Sequence, residues 1–266
     1  MDLKLLGKIA VVTGASAGIG LACSKALYEE GVSVVMVARD RDRLQEAADA
    51  IRSAQPAAAA ARLVPVAGDM TRPETVRQAV DAAIEHFGRI DILINNAGNA
   101  RFGPFFELSD EAFQESWQLK LLGYMRMVKE AVPHMIRQRD GRIVNIVGNS
   151  GRTPNPGYLP GSTSNAALLN FTKGISSELA ASNIRINAIS PGATATERAV
   201  RFARQQADEQ GTGVEAQQAA MSAAIPLKRL VDPAEIASMA LLLVSDRLPS
   251  VTGTEIIIDG GQTPGV

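Results

Sequence analysis

The chain has 266 residues, of which 27 are basic and 28 are acidic, and 46% of its residues are apolar. This length is enough for one α/β domain with a sizeable core. The formal net charge of −1 gives no bulk attraction to nucleic acid or to anionic lipid, so neither is expected as a partner.

Short β-branched runs alternate with longer helical stretches along the chain. Apolar runs without polar alternation are typical of strands that are covered on both faces. We therefore predict an α/β fold: one Rossmann-like, doubly wound domain over residues 1–266, with about seven parallel strands flanked by helices. The predicted strands are residues 9–12, 33–37, 63–66, 90–94, 142–146, 184–189 and 254–258, and residues 18–30 and 41–54 are predicted helices.

Two segments fall outside this alternation. Residues 56–61 form a Pro-Ala run, which we interpret as a helix-to-strand connection without functional weight. Residues 197–225 have no strand signal and follow a strand end, where doubly wound folds bind ligands. They are predicted to form a mobile helical lid over a substrate site.

The remaining composition predicts a cytoplasmic protein without a metal site. No apolar run approaches the roughly 20 residues that span a bilayer, and residues 1–8 lack the apolar centre of a signal peptide. Cys23 is alone, which excludes an internal disulfide and fits a reducing compartment. His86 and His134 have no cysteine at ligand spacing, so zinc is not expected, although carboxylates holding Mg²⁺ stay open.

A glycine turn is the strongest local motif. Gly14, Gly18 and Gly20 lie between the first predicted strand and the first predicted helix. Glycines at this spacing let the backbone turn tightly and approach a pyrophosphate, whose charge faces the helix N-terminus. An ordinary strand-to-helix turn is the alternative where glycines stand alone.

Further motifs support the nucleotide interpretation, and together with the turn they resemble the short-chain dehydrogenase/reductase family from about residue 7 to residue 261. Thr-Gly-x-x-x-Gly-x-Gly occupies 13–20, Asn-Asn-Ala-Gly occupies 95–98, and Asp-Gly-Gly occupies 259–261. The resemblance implies that Asp69 and Met70 border the adenine, that 96–98 line the ribose, and that residues 191–196 reach the nicotinamide. The residues expected at the dinucleotide are Gly14, Ser16, Ala17, Gly18, Ile19, Gly20, Arg39, Asp69, Met70, Asn96, Ala97, Gly98, Pro191, Gly192, Thr194 and Thr196.

The end of the second strand favours NADP over NAD. An acidic residue there would bind the ribose 2′-hydroxyl of NAD, but this chain has Ala38 followed by Arg39. A guanidinium can bind a 2′-phosphate through two hydrogen bonds. Arg39 as a solvated loop charge is the alternative, and Ala17 supplies no second basic contact.

The catalytic residues of the family are absent. In the family a Tyr exchanges a proton with the substrate oxygen, a Lys lowers the pKa of that phenol, and a Ser and an Asn complete the site. Here the Ser and Tyr positions are Gly148 and Gly161, and the Lys and Asn positions are Asn165 and Lys120. Because both glycines remove side chains, we interpret the two facing walls of the pocket as opened together.

Lys and Asn have exchanged positions, and this exchange suggests a rebuilt acid/base site. Lys120 could place its ammonium near the space of the missing lysine; the alternative is that Lys120 faces solvent or pairs with Glu115 or Glu107. Tyr158, predicted to lie in the loop that enters the next helix, is a candidate replacement phenol, with packing as the alternative. The candidate catalytic residues are therefore Lys120, Asn165 and Tyr158.

Three arginines repeat at a spacing of three residues in the predicted lid: Arg198, Arg201 and Arg204. They could attract an anionic substrate, but a solvated helix face is the favoured interpretation.

Three functions stay open at this stage. The favoured one is an NADP-dependent oxidoreductase that acts on a carbonyl or alcohol of unknown identity. The others are a non-redox lyase or isomerase on the same scaffold, and a non-catalytic NADP-binding subunit or sensor. The resemblance further implies a homotetramer or homodimer built through helices at about 109–138 and 159–181.

Overall fold

The computed structural model describes residues 2–55 and 61–264, and within them the chain forms one sheet of seven parallel strands. The predicted fold class is confirmed. The strands are β1 (Ile9–Thr13), β2 (Ser33–Ala38), β3 (Leu63–Ala67), β4 (Ile92–Asn95), β5 (Gly141–Ile146), β6 (Ile184–Pro191) and β7 (Glu255–Ile258).

Helices connect the strands on both faces of the sheet. The predicted helix over 41–54 has those bounds in the structure, while residues 56–60 lie outside the described residues. The helices are α1 (Gly18–Glu29), α2 (Arg41–Ala54), α3 (Pro73–Phe87), α4 (Asp110–Ser116), α5 (Gly123–Gln138), α6 (Leu159–Ala180), α7 (Glu197–Gln210), α8 (Val214–Ala223) and α9 (Pro233–Val244).

The fourth strand begins at Ile92, two residues later than the apolar run predicts. The backbone N–H and carbonyl of Ile90 both pair with the side-chain amide of Gln138, at 3.1 and 2.9 Å. Ile90 therefore bonds to a helix terminus rather than to a neighbouring strand, although it is fully buried.

Alternate residues of the central strands enter two separate cores. Val12 of β1 packs in one core with Leu27 of α1 and Ile236 of α9. Val11, its neighbour, packs in the other core with Val76 of α3 and Met127 of α5. The sheet is thus covered on both faces, which explains why its strands are apolar runs without polar alternation.

The strand order is β3-β2-β1-β4-β5-β6-β7, so the direction of winding reverses between β1 and β4. In such sheets ligands bind outside the carboxyl ends of the strands at this reversal. Among the described residues, no helix is long and apolar enough to cross a bilayer, and no group of three or more His, Cys, Asp or Glu side chains could hold a metal ion.

Candidate active site

The glycine turn after β1 is packed so closely that only glycine fits. Gly14 and Gly18 adopt φ angles of +67° and +55°. A Cβ atom on Gly20 would lie 2.2 Å from the carbonyl oxygen of Gly14, which is backbone and cannot easily move. The turn therefore presents bare backbone where a pyrophosphate would approach.

The start of α1 offers hydrogen-bond donors to an anion. Ala17 is the N-cap residue, and within the described helix neither a side-chain cap nor an acidic residue occupies the first turn. The free N–H groups after Ser16 and Ala17 and the positive end of the helix dipole favour a phosphate there. The side chain of Ile19 lines the neighbouring cavity. The turn and the helix start together fit a dinucleotide pyrophosphate.

Asn96 and Thr13 hold the turn against β4. The Asn96 side-chain amide donates to the carbonyl oxygens of Thr13 and Gly14, at 3.1 and 3.2 Å. The Thr13 hydroxyl accepts the backbone N–H groups of Asn96 and Ala97, at 2.9 and 3.1 Å. Asn96 thus supports the glycine turn in addition to lining the cavity.

Arg39 and Asp69 lie after the carboxyl ends of β2 and β3. Arg39 follows β2, is exposed, and makes no hydrogen bond or ion pair within the described part of the chain. Burial alone would raise the pKa of Asp69, but hydrogen bonds from Thr71 and the charge of Arg39 outweigh it and lower the pKa. The side chain of Met70 is buried in the core, and the expectation that Met70 borders the adenine stays a prediction.

A cavity of about 670 Å³ continues from the turn along the carboxyl ends of the strands. Its walls include Pro191, the last residue of β6, and Gly192, Thr194 and Thr196, which follow that strand. The Thr194 hydroxyl donates to the Gly192 carbonyl at 2.9 Å. The Thr196 methyl group lies 3.1 Å from the position of a Cβ on Gly18, so Thr196 faces the glycine turn across the cleft.

Lys120 points into this cavity. It lies on a π-helical turn, Trp117–Leu122, between α4 and α5, and is only 9% exposed. Its ammonium donates to the carbonyl oxygen of Val147, and its stem packs over Gly98, where a Cβ would lie 3.1 Å from Cδ. The alternative interpretation of a solvated lysine does not hold, and Glu115 pairs instead with Arg101 at 3.5 Å.

The environment of Lys120 disfavours its charged form. Burial, and then the charge of Arg198, lower the pKa of Lys120 from 10.5 to about 7. An amine with this pKa can both donate and accept a proton near neutral pH.

The ring of Tyr158 fills the space above Gly161. A Cβ on Gly161 would lie 2.1 Å from both Cε1 and Cζ of Tyr158. The hydroxyl oxygen of Tyr158 accepts an N–H of Arg198 at 2.7 Å, and the ring stacks on Phe102 with centroids 4.4 Å apart. Tyr158 ends a 3-10 turn, Pro156–Tyr158, directly before α6 rather than lying in an irregular loop, and Pro160 is in the first turn of α6 as predicted.

Asn165 occupies the space beside Gly148. Its amide nitrogen lies 2.8 Å from the position of a Cβ on Gly148 and donates to the Ser150 hydroxyl at 2.9 Å. Its amide oxygen is buried and has no hydrogen-bond partner among the described residues. The interpretation that Gly148 and Gly161 open two walls of the pocket is therefore wrong, because other side chains fill both spaces.

The three arginines of α7 do not share one face. Arg201 and Arg204 are exposed, and Arg201 lies 3.8 Å from Glu197, as expected for a solvated helix face. Arg198 is half-buried, lines the cavity and holds the Tyr158 hydroxyl. The favoured sequence interpretation is correct for two of them and wrong for Arg198.

Sequence reasoning missed several groups of the site. Ser150 and Phe102 belong to no motif of the family, and Thr13 belongs to one but was given no role of its own. Thr13 is the first residue of the glycine pattern, which was a usable signal. The placement of Phe102 depends on stacking with Tyr158 and with Phe202, which is 4.3 Å away between centroids.

Comparison with known proteins shows which family this chain resembles. A family model described as enoyl-(acyl carrier protein) reductase matches residues 14–263. The oxidoreductase UcpA of Salmonella typhimurium is 36% identical over 261 residues, which are 98% of this chain and 96% of that protein.

Two solved structures are similar over nearly the whole chain. L-sorbose reductase from Gluconobacter frateurii, complexed with NADPH and L-sorbose, is 32% identical with a TM-score of 0.94 and covers 100% of both chains. A short-chain type dehydrogenase/reductase from Mycobacterium marinum is 33% identical with a TM-score of 0.87, over 99% of this chain and 98% of that chain. The chain therefore belongs to the short-chain dehydrogenase/reductase family of oxidoreductases.

Proposed function

We propose that the protein is an NADP(H)-dependent reductase of a carbonyl compound, with Lys120 as the proton donor and Tyr158 orienting the substrate oxygen. The main support is the direction of Lys120, which stands at the position of the family asparagine. Its ammonium donates to the Val147 carbonyl oxygen, and it lines the same cavity as the residues that follow β6. The site thus regains an ionisable group from the opposite helix, although the family Tyr and Lys positions are Gly161 and Asn165.

The cofactor is NADP(H). The NADPH-bound L-sorbose reductase is similar over the full length of the chain. Arg39 is exposed at the end of β2, where a 2′-phosphate would lie, and it has no ion-pair partner within the described residues. The free N–H groups at the start of α1 support binding of the pyrophosphate.

Lys120 supplies acid/base chemistry. With NADPH bound, its nicotinamide would supply a hydride to the carbonyl carbon. The Lys120 ammonium donates a proton to the carbonyl oxygen, which yields the alcohol and a neutral amine, and the amine then regains a proton from water. Because burial lowers the pKa of Lys120 to about 7, the proton is released more readily than from an exposed lysine.

Tyr158 and Asn165 orient the reacting groups. The Tyr158 oxygen accepts an N–H from Arg198, so its own O–H stays available to donate to the substrate oxygen. The amide nitrogen of Asn165 donates to the Ser150 hydroxyl at 2.9 Å, and we assign Asn165 to positioning Ser150 at the wall of the cavity.

Stereospecific transfer of label tests this function. NADPH carrying deuterium at C4 is incubated with a panel of aldehydes and ketones, and the alcohols are analysed by mass spectrometry. Transfer of deuterium to the carbonyl carbon supports the proposal. Turnover of a compound without oxidation of NADPH would favour a lyase or isomerase, and tight NADPH binding without turnover of any compound would favour a sensor.

Two structural parts of the proposal need their own tests. The first is a lid formed by α7 and α8. Hydrogen exchange measured with and without NADPH would detect the opening of this lid. We also include a homodimer or homotetramer formed through 109–138 and 159–181, in keeping with the exposure of Phe106 (96%) and Trp117 (38%) nearby. Light scattering that gives a monomer at micromolar concentration would contradict this assembly.

A further inference from the structure

The cavity beside the cofactor cleft has an unbalanced charge. Two basic side chains, Lys120 and Arg198, line it, and among the described residues no Asp or Glu does. The acids nearest in sequence to its walls are engaged elsewhere. Glu197 pairs with Arg43 of α2 at 2.5 Å, and Asp259 is buried and accepts backbone N–H groups of the C-terminal turn.

Arg198 is held in place but not neutralised. One of its N–H groups donates to the Tyr158 hydroxyl at 2.7 Å, and its guanidinium carbon lies 5.6 Å from the centre of the Tyr158 ring. A guanidinium has five N–H donors, and among the residues that the structure describes the Tyr158 hydroxyl is the one hydrogen-bond partner of Arg198. The arginine is thus fixed with donors to spare.

The surroundings favour an anion over water at this point. Arg198 and Lys120 are close enough that the charge of the arginine contributes to lowering the pKa of the lysine. Attraction between charges is stronger in a partly buried site than in bulk water. An anion bound at Arg198 would therefore offset an existing repulsion as well as gain hydrogen bonds.

An aromatic wall adjoins the arginine. Phe102 lies between Tyr158 and Phe202, with ring centroids 4.4 and 4.3 Å apart, and all three rings line the cavity. The three rings together form one apolar surface of the cavity, on which an apolar group can pack. This surface and the guanidinium together suit a molecule with an apolar body and an anionic end.

We propose that Arg198 binds a carboxylate of the substrate, so that the enzyme acts on oxo acids whose apolar body packs on Phe102 and Phe202. This inference rests on the proposed reductase function for the carbonyl group. The planar guanidinium matches a carboxylate through two parallel hydrogen bonds, which a lysine at this position could not provide.

A binding experiment tests this independently of turnover. Protein saturated with NADP⁺ is titrated calorimetrically with 4-acetylbenzoate and with its methyl ester, since the oxidised cofactor cannot reduce either ketone. The wild type should bind the acid at least about tenfold more tightly than the ester, as expected for hydrogen bonds to a charged group. The Arg198→Met variant should lose this ratio, whereas Arg204→Met, an exposed arginine of the same helix, should keep it.

Three results would overturn the inference: equal binding of acid and ester by the wild type, no binding of the acid up to millimolar concentration, or an acid preference that survives in Arg198→Met. The ratio of acid to ester affinity distinguishes failure of the carboxylate site from failure of the proposed reductase function. Acid preference without deuterium transfer would leave the carboxylate site intact and reject the reductase. Deuterium transfer without acid preference would do the reverse.

Discussion

Glycines on the two sides of the cleft have opposite roles. At the cofactor turn, Gly20 keeps side chains out, because a Cβ there would meet the backbone oxygen of Gly14 at 2.2 Å. On the catalytic side, Gly161 and Gly148 admit side chains, since Tyr158 and Asn165 occupy the spaces they leave. A glycine pattern is therefore informative only together with the atoms that surround each glycine.

The catalytic side offers the largest test of this contrast. We expect Lys120→Met to lower kcat for carbonyl reduction by about 10²–10⁴-fold, because the variant removes the proton donor. Steady-state oxidation of NADPH with a substrate from the labelling panel measures the effect. Lys25→Met, an exposed lysine of α1 outside the proposed interface segments, is the matched control and should retain wild-type turnover. A loss of less than fivefold in Lys120→Met would assign the proton to another group.

The pH dependence of the wild type follows from the same lysine. Reduction needs the protonated amine, whose pKa is lowered to about 7 before substrate binds, so kcat/KM for the carbonyl substrate should be constant below pH 7 and fall about tenfold per pH unit above it. Oxidation of the alcohol needs the neutral amine, so its rate should rise with pH and level off above 7. A reduction rate that stays constant to pH 9 would contradict this assignment.

On the cofactor side, Gly20→Ala should weaken NADPH binding by about 100-fold or more. The new Cβ meets backbone, so the turn must shift away from the geometry that binds the pyrophosphate. We expect this shift to cost about 3 kcal/mol of the free energy of NADPH binding. Fluorescence titration with NADPH measures the dissociation constant. Gly174→Ala is the control, because a Cβ on Gly174, within α6, meets nothing within 4 Å and alanine favours the helix. Equal NADPH affinities of the two variants would show that close packing of the turn backbone around Gly20 is not needed for binding.

Arg39→Leu should reduce the preference for NADPH over NADH by about ten- to 100-fold, as expected for charge-assisted hydrogen bonds to the 2′-phosphate. The ratio of kcat/KM for the two cofactors measures this preference. NADH kinetics serve as the internal control, because NADH lacks the phosphate. An unchanged ratio would identify Arg39 as a solvated charge.

The predictable parts of this protein are those determined by backbone. The bounds of α2 and the strand series could be predicted because periodicity and apolar runs act locally. Lys120 and Asn165 could be placed in one site because the family motifs fix the backbone positions of the helices that carry them. The approach of Tyr158 over Gly161 could not be predicted, since it depends on a loop, on Arg198 and on the stacking of Phe102.

The inward direction of Arg198 shows a second reason for failure. A spacing of three residues drifts by about 60° around a helix at each step, so Arg198 and Arg204 differ by about 120°. The sequence spacing alone therefore does not tell which arginine faces a cavity. The answer depends on how α7 is rotated against the segment that carries Tyr158, and the residues of α7 alone do not determine that rotation.

Gly161→Ala compares the catalytic side with the cofactor turn most directly. It makes the same change as Gly20→Ala, but the neighbouring atoms belong to a side chain that can move rather than to backbone. The new Cβ would meet the far end of the Tyr158 ring rather than backbone, so the ring should swing away at modest cost. We expect NADPH affinity to stay within about threefold of the wild type, since the glycine turn is untouched. Turnover should fall about tenfold, as expected for the loss of one hydrogen bond that orients the substrate.

A double-mutant cycle decides whether this effect acts through Tyr158. In a Tyr158→Ala background the space above Gly161 is empty, so adding Gly161→Ala should change turnover by less than about twofold. Equal effects of Gly161→Ala in both backgrounds would mean that the glycine acts on the backbone of α6, as Gly20 acts on its own turn. The two sides of the cleft would then use glycine for the same reason, and the contrast between them would fail.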